Sequence, residues 1–195
     1  MGVTRFGGWR QLGLAAGATA CLAVPAATSQ TLRQPLAVTA VPPGGAATVR
    51  TAHLTVQAAA SVAALAPGDR VTLSVDVTPR PGMHVYAPGP HDYQVVTFTV
   101  DDRPWLRVRP LRYPPAEIYH FVPLDERVPT YGKPFTLGQD LAVLATPAAR
   151  RALAGRKDVT IRGTLEYQAC DDRICYAPAT VPLEFTLDLA PGSGR

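Results

Sequence analysis

Apolar and polar residues alternate with period two in several runs from Val71 onward. Val71, Leu73, Val75 and Val77 alternate with Thr72, Ser74 and Asp76, the pattern of a strand with one face in a core and the other in water. Val96, Phe98 and Val100 repeat it around Thr97 and Thr99. Ile161, Leu165 and Tyr167 do so around Arg162, Glu166 and Gln168, and Val181, Leu183, Phe185 and Leu187 around Pro182, Glu184, Thr186 and Asp188. Pro79-Arg80-Pro81-Gly82, Pro88-Gly89-Pro90 and Asp101-Asp102-Arg103-Pro104 read as turns between these runs. One short helix is expected over Pro147 to Leu153, with proline in the first turn, where its missing N–H is tolerated. Twenty prolines argue against long helices elsewhere. Short alternating strands at this spacing predict an all-β fold, an immunoglobulin-like antiparallel β-sandwich.

Three stretches break the pattern. Residues 1–29 run from Arg5 and Arg10 through an apolar segment, Leu12 to Val24, to small residues at Ala26, Ala27 and Ser29, the order of a cleaved secretory signal peptide. The apolar segment is shorter than the roughly 20 residues that a membrane-spanning helix needs. Residues 30–51 are rich in Ala, Pro, Gly, Thr and Val without a clear period and read as a flexible tether, with structure expected from about residue 52 to 190 and a short tail at 191–195. Between Pro110 and Pro134, Tyr113, Tyr119, Phe121 and Tyr131 lie among prolines and alternate poorly. Such a segment is either a flap on the core or a cover over a functional site.

Charge excludes one class of partner. Arg5 and Arg10 supply two of the four net positive charges. No cluster of Lys and Arg interleaved with aromatics remains outside the leader, so no nucleic-acid surface is expected. No Ser/His/Asp or paired-carboxylate constellation suggests a hydrolase. His53, His84, His91 and His120 share no motif, and surface or packing roles are expected for them; Trp105 is read as core or rim.

The cysteines carry the candidate chemistry. Cys21 falls in the leader, where it reads as an ordinary residue of a removed segment, with lipid modification as the rival reading. That leaves Cys170 and Cys175, separated by Asp171, Asp172, Arg173 and Ile174. Strand patterns on both sides place them at the turn end of a hairpin. Facing Cα atoms on antiparallel strands lie about 4.5–5.5 Å apart, within the roughly 4.4–6.8 Å that a disulfide spans. Extending that pairing regularly would set Thr164 against Val181, polar against apolar, so a bulge is predicted between the cysteines and the ladder, near Pro178. Alternation places Cys170 on the face of Glu166 and Gln168, partly open to solvent. Closing so short a loop adds only about 2 kcal/mol. Both points favour an exchanging pair, while a permanent clip in a non-catalytic, partner-binding sandwich stays open. A third reading, soft-metal binding by the two thiolates with Met83 or His84, lacks a full ligand set. Asp171 and Asp172 disfavour a thiolate and Arg173 favours one, which suits a relay better than a strong oxidant. No cofactor is expected.

Tyr167-Gln168-Ala169-Cys170, the four-residue spacer, then Cys175-Tyr176 and Pro178 leading into Val181-Pro182-Leu183 resemble the amino-terminal domain of DsbD-type thiol:disulfide interchange proteins. Gly82-Met83-His84-Val85-Tyr86 and Tyr131-Gly132-Lys133-Pro134-Phe135 extend the resemblance over about residues 53–189. It implies a periplasmic sandwich acting as a component of a protein-disulfide reductase. Such a domain takes electrons from a thioredoxin-like donor and passes them to periplasmic disulfide isomerases and cytochrome c maturation thioredoxins. By the same resemblance Cys175 exchanges with the downstream partner and Cys170 resolves the mixed disulfide. An aromatic cap within Tyr119 to Asp125, with Phe121 or Tyr119 as the shield, covers the pair. Tyr167, Gln168 and Tyr176 are further candidates for cap or partner contact. No membrane or thioredoxin domain follows, so both partners are expected to act in trans.

Overall fold

The computed structural model describes residues 37–122 and 125–190. The expected leader, Cys21, the first part of the tether, Pro123, Leu124 and the tail lie outside the described residues. Two sheets build the sandwich. One orders β1 (Thr39–Val41), β14 (Ala179–Leu189), β12 (Asp158–Tyr167) and β7 (Thr97–Val100), with β4 (Ala64–Leu65) also on β14. The other orders β2 (Ala46–Arg50), β3 (Leu54–Ala60), β5 (Arg70–Pro79), β11 (Phe135–Val143) and β8 (Leu106–Val108). Pairing is antiparallel except for the two short strands β1 and β4, which run parallel to β14.

The alternation seen in the sequence is the alternation of burial. Val71, Leu73, Val75 and Val77 of β5 are buried, as are Leu137, Leu141 and Val143 of β11, Val159, Ile161 and Leu165 of β12, and Val181, Leu183, Phe185 and Leu187 of β14; all belong to one core. Each such side chain contributes roughly 1.5–3 kcal/mol of hydrophobic stabilisation. Trp105, 6% exposed, is core. Gly163 of β12 marks a close approach: a Cβ there would meet the Phe98 ring at 2.6 Å. The expected helix, α1 (Pro147–Leu153), forms as read. Thr146 caps it by accepting the Ala149 N–H at 3.2 Å, and Ala149 and Leu153 are buried beneath it.

The tether reading fails over residues 39–50. Pro42 to Gly45 form a turn, closed by the Gly45 N–H donating to the Pro42 carbonyl at 3.1 Å. Gly44, at φ +64°, occupies the position of such a turn that requires a left-handed residue. The turn joins β1 to β2, and Val41 reaches the core at 1% exposure. Small residues hid these strands: Ala46, Ala47 and Thr48 give little hydrophobic contrast and draw their pairing from β3.

A third, smaller sheet orders β13 (Ala169–Cys170), β6 (His84–Tyr86), β10 (Glu126–Tyr131) and β9 (Glu117–Phe121). The aromatic segment is therefore a hairpin. Its base joins the core, where Tyr131 stacks on Phe135 with ring centroids 4.2 Å apart. Its far end turns toward the cysteines.

Candidate functional site

The ladder between β12 and β14 is regular through Leu165–Val181, Glu166–Thr180 and Tyr167–Ala179. At the tip, Cys170 bridges to Cys175 and the Tyr176 N–H donates to the Ala169 carbonyl at 2.9 Å. Between these two pairings one strand has Gln168 alone and the other has Ala177 and Pro178. This is the bulge expected near Pro178, and the Gln168 amide spans it by donating to the Tyr176 carbonyl at 3.0 Å. Beyond the bulge the chain changes sheets. Ala169 pairs with Val85 and Cys170 with His84.

That change of sheet corrects the expected exposure of Cys170. Alternation does not continue through Gln168: Cys170 is 1% exposed and packs with Tyr86, Val128, Tyr93 and Tyr119. Cys175, by contrast, is exposed. The two form a disulfide with Cα atoms 4.1 Å apart. Asp171 builds the turn between them. Its Oδ1 accepts the N–H groups of Arg173 and Ile174, each at 2.8 Å, and its Oδ2 accepts the Tyr176 hydroxyl at 2.9 Å. Those donors hold the carboxyl below its ordinary pKa, the Ile174 and Arg173 amides contributing most. Arg173 points into solvent with its side chain 85% exposed.

A cavity of about 150 Å³ opens against the disulfide. Its walls come from four places. The cysteine turn supplies Cys170, Asp171, Arg173, Ile174 and Cys175; β6 supplies His84 and Tyr86; the hairpin supplies Tyr119, Phe121, Glu126 and Val128; and the loop after β6 supplies Tyr93. The Tyr86 hydroxyl lies 3.3 Å from both sulfurs. In the oxidised pair only that hydroxyl carries a proton, so it donates to the sulfurs. Burial, then the charges of Tyr93, Glu126 and Tyr119, push its pKa up to about 12, which keeps it a donor. Tyr93 stacks on Tyr86 with centroids 4.2 Å apart and donates to Glu126 Oε2 at 2.6 Å, tying the loop to β10.

The candidates from the sequence divide. Cys170, Cys175, Tyr119 and Phe121 meet at the cavity, Tyr119 packing on the small cluster that holds Cys170 while Cys175 is exposed. Tyr167 is not a partner contact: it is 1% exposed, and its hydroxyl donates to Thr51 Oγ1 at 2.9 Å. Gln168 and Tyr176 shape the bulge and turn and do not line the cavity; Tyr176 packs on His53 with centroids 4.4 Å apart. Sequence reasoning assigned no site role to Tyr86, Tyr93, Glu126 or Val128, and gave His84 only a packing role and a place in the rival metal reading. The one signal was Gly82 to Tyr86, but all three residues of β6 are buried, so no alternation separated a core face from a site face. Among the described residues, no group of three or more His, Cys, Asp or Glu could hold a metal ion.

Residues 50–186 match the family described as "Thiol:disulfide interchange protein DsbD, N-terminal". No curated protein matches the chain. Among solved structures, the N-terminal periplasmic domain of ScsB from Proteus mirabilis is 14% identical with a TM-score of 0.47, over 70% of this chain and 49% of that one. The chain thus spans about half the length of that relative. The N-terminal domain of Neisseria meningitidis DsbD in the reduced form is 16% identical with a TM-score of 0.36, over 62% of this chain and 78% of that one. At these values both are likenesses and nothing more.

Proposed function

Because the chain belongs to the family of the DsbD N-terminal domain and is a thiol–disulfide exchange domain, we propose that it relays reducing equivalents through Cys170 and Cys175 between thioredoxin-like proteins in the periplasm. The observation that supports a relay is the unequal exposure of the two sulfurs' residues: Cys175 is exposed beside Ile174, 56% exposed, while Cys170 is 1% exposed. A macromolecular thiolate reaches one sulfur and not the other.

On the way in, the donor's thiolate attacks Cys175 Sγ. The Cys170–Cys175 bond breaks and Cys170 leaves as a thiolate that takes up a proton, beside the Tyr86 hydroxyl. The donor's second thiolate then attacks its own sulfur in the mixed disulfide and releases Cys175, so the domain gains two electrons and the donor is oxidised. On the way out, the Cys175 thiolate attacks the acceptor's disulfide and Cys170 resolves the intermediate. Tyr119 and Phe121 form the aromatic side of the entrance, the part of a cap. Among the described residues no helix is long and apolar enough to cross a membrane.

Equilibration of the folded domain against defined thiol buffers tests this reading. A potential of about −270 to −180 mV suits a pair that both accepts and donates. A value well below about −300 mV, with the pair resistant to reduction while folded, would replace the relay with a partner-binding sandwich clipped by a permanent disulfide. Cys170→Ser should trap a mixed disulfide with a thioredoxin-like protein through Cys175, and Cys175→Ser should trap none.

A further inference from the structure

The resolving step needs Cys170 as a thiolate, yet Cys170 is almost wholly buried. Something must take its proton. Tyr86, the hydroxyl nearest the sulfurs, is a donor in this site, and Asp171 is committed to the turn through three hydrogen bonds. Glu126, also in the cavity wall, holds the Tyr93 hydroxyl at 2.6 Å through Oε2, which leaves His84 as the cavity base placed by register beside Cys170. It is the cross-strand partner of Cys170 in the pairing of β6 with β13, and directly opposed residues in such a pair carry their side chains on the same face, with Cβ atoms about 4.5–5.5 Å apart.

His84 also stands between two spaces. With Tyr119 it lines both the cavity holding the sulfurs and a second groove of about 230 Å³, which runs past Glu117 and Gly132. Its ring packs against Tyr119, tilted by 32° with centroids 4.4 Å apart, and lies edge-on to Tyr86 at 5.8 Å. Among the described residues neither ring nitrogen has a protein hydrogen-bond partner, and no enclosed side-chain nitrogen is left without one. The imidazole nitrogens of this 6% exposed residue therefore open onto solvent-accessible space.

We propose that His84 takes the proton of the Cys170 thiol and passes it to solvent through the second groove. This rests on the exchange reading above. In the step, the Cys170 S–H proton moves to a His84 ring nitrogen, directly or through one water in the cavity. The thiolate attacks Cys175 Sγ, forming the Cys170–Cys175 bond and breaking the bond between Cys175 and the partner. The partner's sulfur leaves with the electron pair and is protonated, and the imidazolium releases its proton to the groove. The pair is oxidised by two electrons and the partner is reduced.

Burial lowers the His84 pKa, and Asp171 on the cysteine turn partly opposes this, so the ring is neutral at neutral pH and ready to accept. Tyr86 on its own strand, Tyr119 on β9, Glu126 on β10, Tyr93, and Arg173 at the mouth share the sulfur cavity. Glu117 on the groove side is paired with Lys133 at 2.6 Å.

The test is stopped-flow oxidation of the reduced full chain by glutathione disulfide between pH 5.5 and 9, following release of glutathione from the Cys175 mixed disulfide. The wild-type resolving rate should level off above the His84 pKa. In His84→Phe, which keeps a ring against Tyr119, the plateau should vanish and the rate at pH 7 should fall roughly 100-fold, the lower end for loss of a general base. His84→Gln should match it. Independently, the His84 ring titration followed by NMR should move by roughly one unit when dithiothreitol reduces the wild-type chain, as coupled sites require. Variants with the wild-type profile, or a rate lowered equally at every pH with no NMR shift, would overturn the role of His84. A wild-type chain inert toward glutathione disulfide would overturn the exchange reading itself.

Discussion

The carboxylate of Asp171 is held by two backbone N–H groups and the Tyr176 hydroxyl, and all three donors favour its ionised form. Its folded-state pKa is therefore lowered from 3.8. A carboxyl lowered on folding stabilises the fold fully above its unfolded pKa, and that stability is lost as pH falls through the folded value. The difference in Tm between the domain and Asp171→Ala should thus be constant from neutral pH down to about pH 5 and shrink below it. Thermal melts across pH 2.5–7 read this directly, and a difference equal at every pH would mean that the turn is held by something other than the charge. In the sequence Asp171 read as part of a turn between the cysteines and as a like charge beside a thiolate. An Asp that accepts the N–H groups two and three residues on is a turn preference of its residue type, but the third donor, Tyr176, reaches it only in the folded hairpin. His84 and Tyr86 were obscured for a related reason: β6 is buried at all three positions.

At the scale of elements, what the sequence made legible follows hydrophobic contrast. β5, β12, β14 and α1 alternate large apolar with polar residues or carry a clear cap, and they form where expected. β1 and β2 are built from small residues, and the β9–β10 hairpin carries Pro129 within a strand; both were read as irregular. The bulge was legible because a register conflict, Thr164 against Val181, has only one cheap resolution. The change of sheet that follows it was not, because alternation within one strand says nothing about where the chain goes next. The consequence can be tested by deleting Ala177. The ladder would then run straight from Tyr167–Ala179 to Cys170–Cys175, and period two would put both cysteines on the solvent face with Glu166 and Gln168. In the reduced native domain Cys175 should alkylate far faster than Cys170; in the deletion variant the two rates should converge. Loss of the pairing between β13 and β6 should cost roughly 0.5–3 kcal/mol, the usual range for a single change. A Cys170 still protected in the variant would mean that the cavity, and not the bulge, buries it.

For the molecule as a whole, the disulfide lies at the periphery of what holds the fold together. The sandwich core runs through both large sheets without the cysteines, and Cys170 belongs to a separate small cluster with Tyr86 and Val128. The loop it closes has a sequence separation of 5, so its contribution through the unfolded chain is about 2 kcal/mol. For a chain of this size, 1 kcal/mol moves Tm by roughly 2–4 °C. Reduction should therefore lower Tm by roughly 4–8 °C and leave a single cooperative transition. That is what a relay requires, since it must stay folded in both redox states with the same core presenting the same entrance. Calorimetry with and without reductant measures it. A fall several times larger, or a broad, non-cooperative transition in the reduced chain, would place the disulfide among the supports of the fold and make repeated cycling through it untenable.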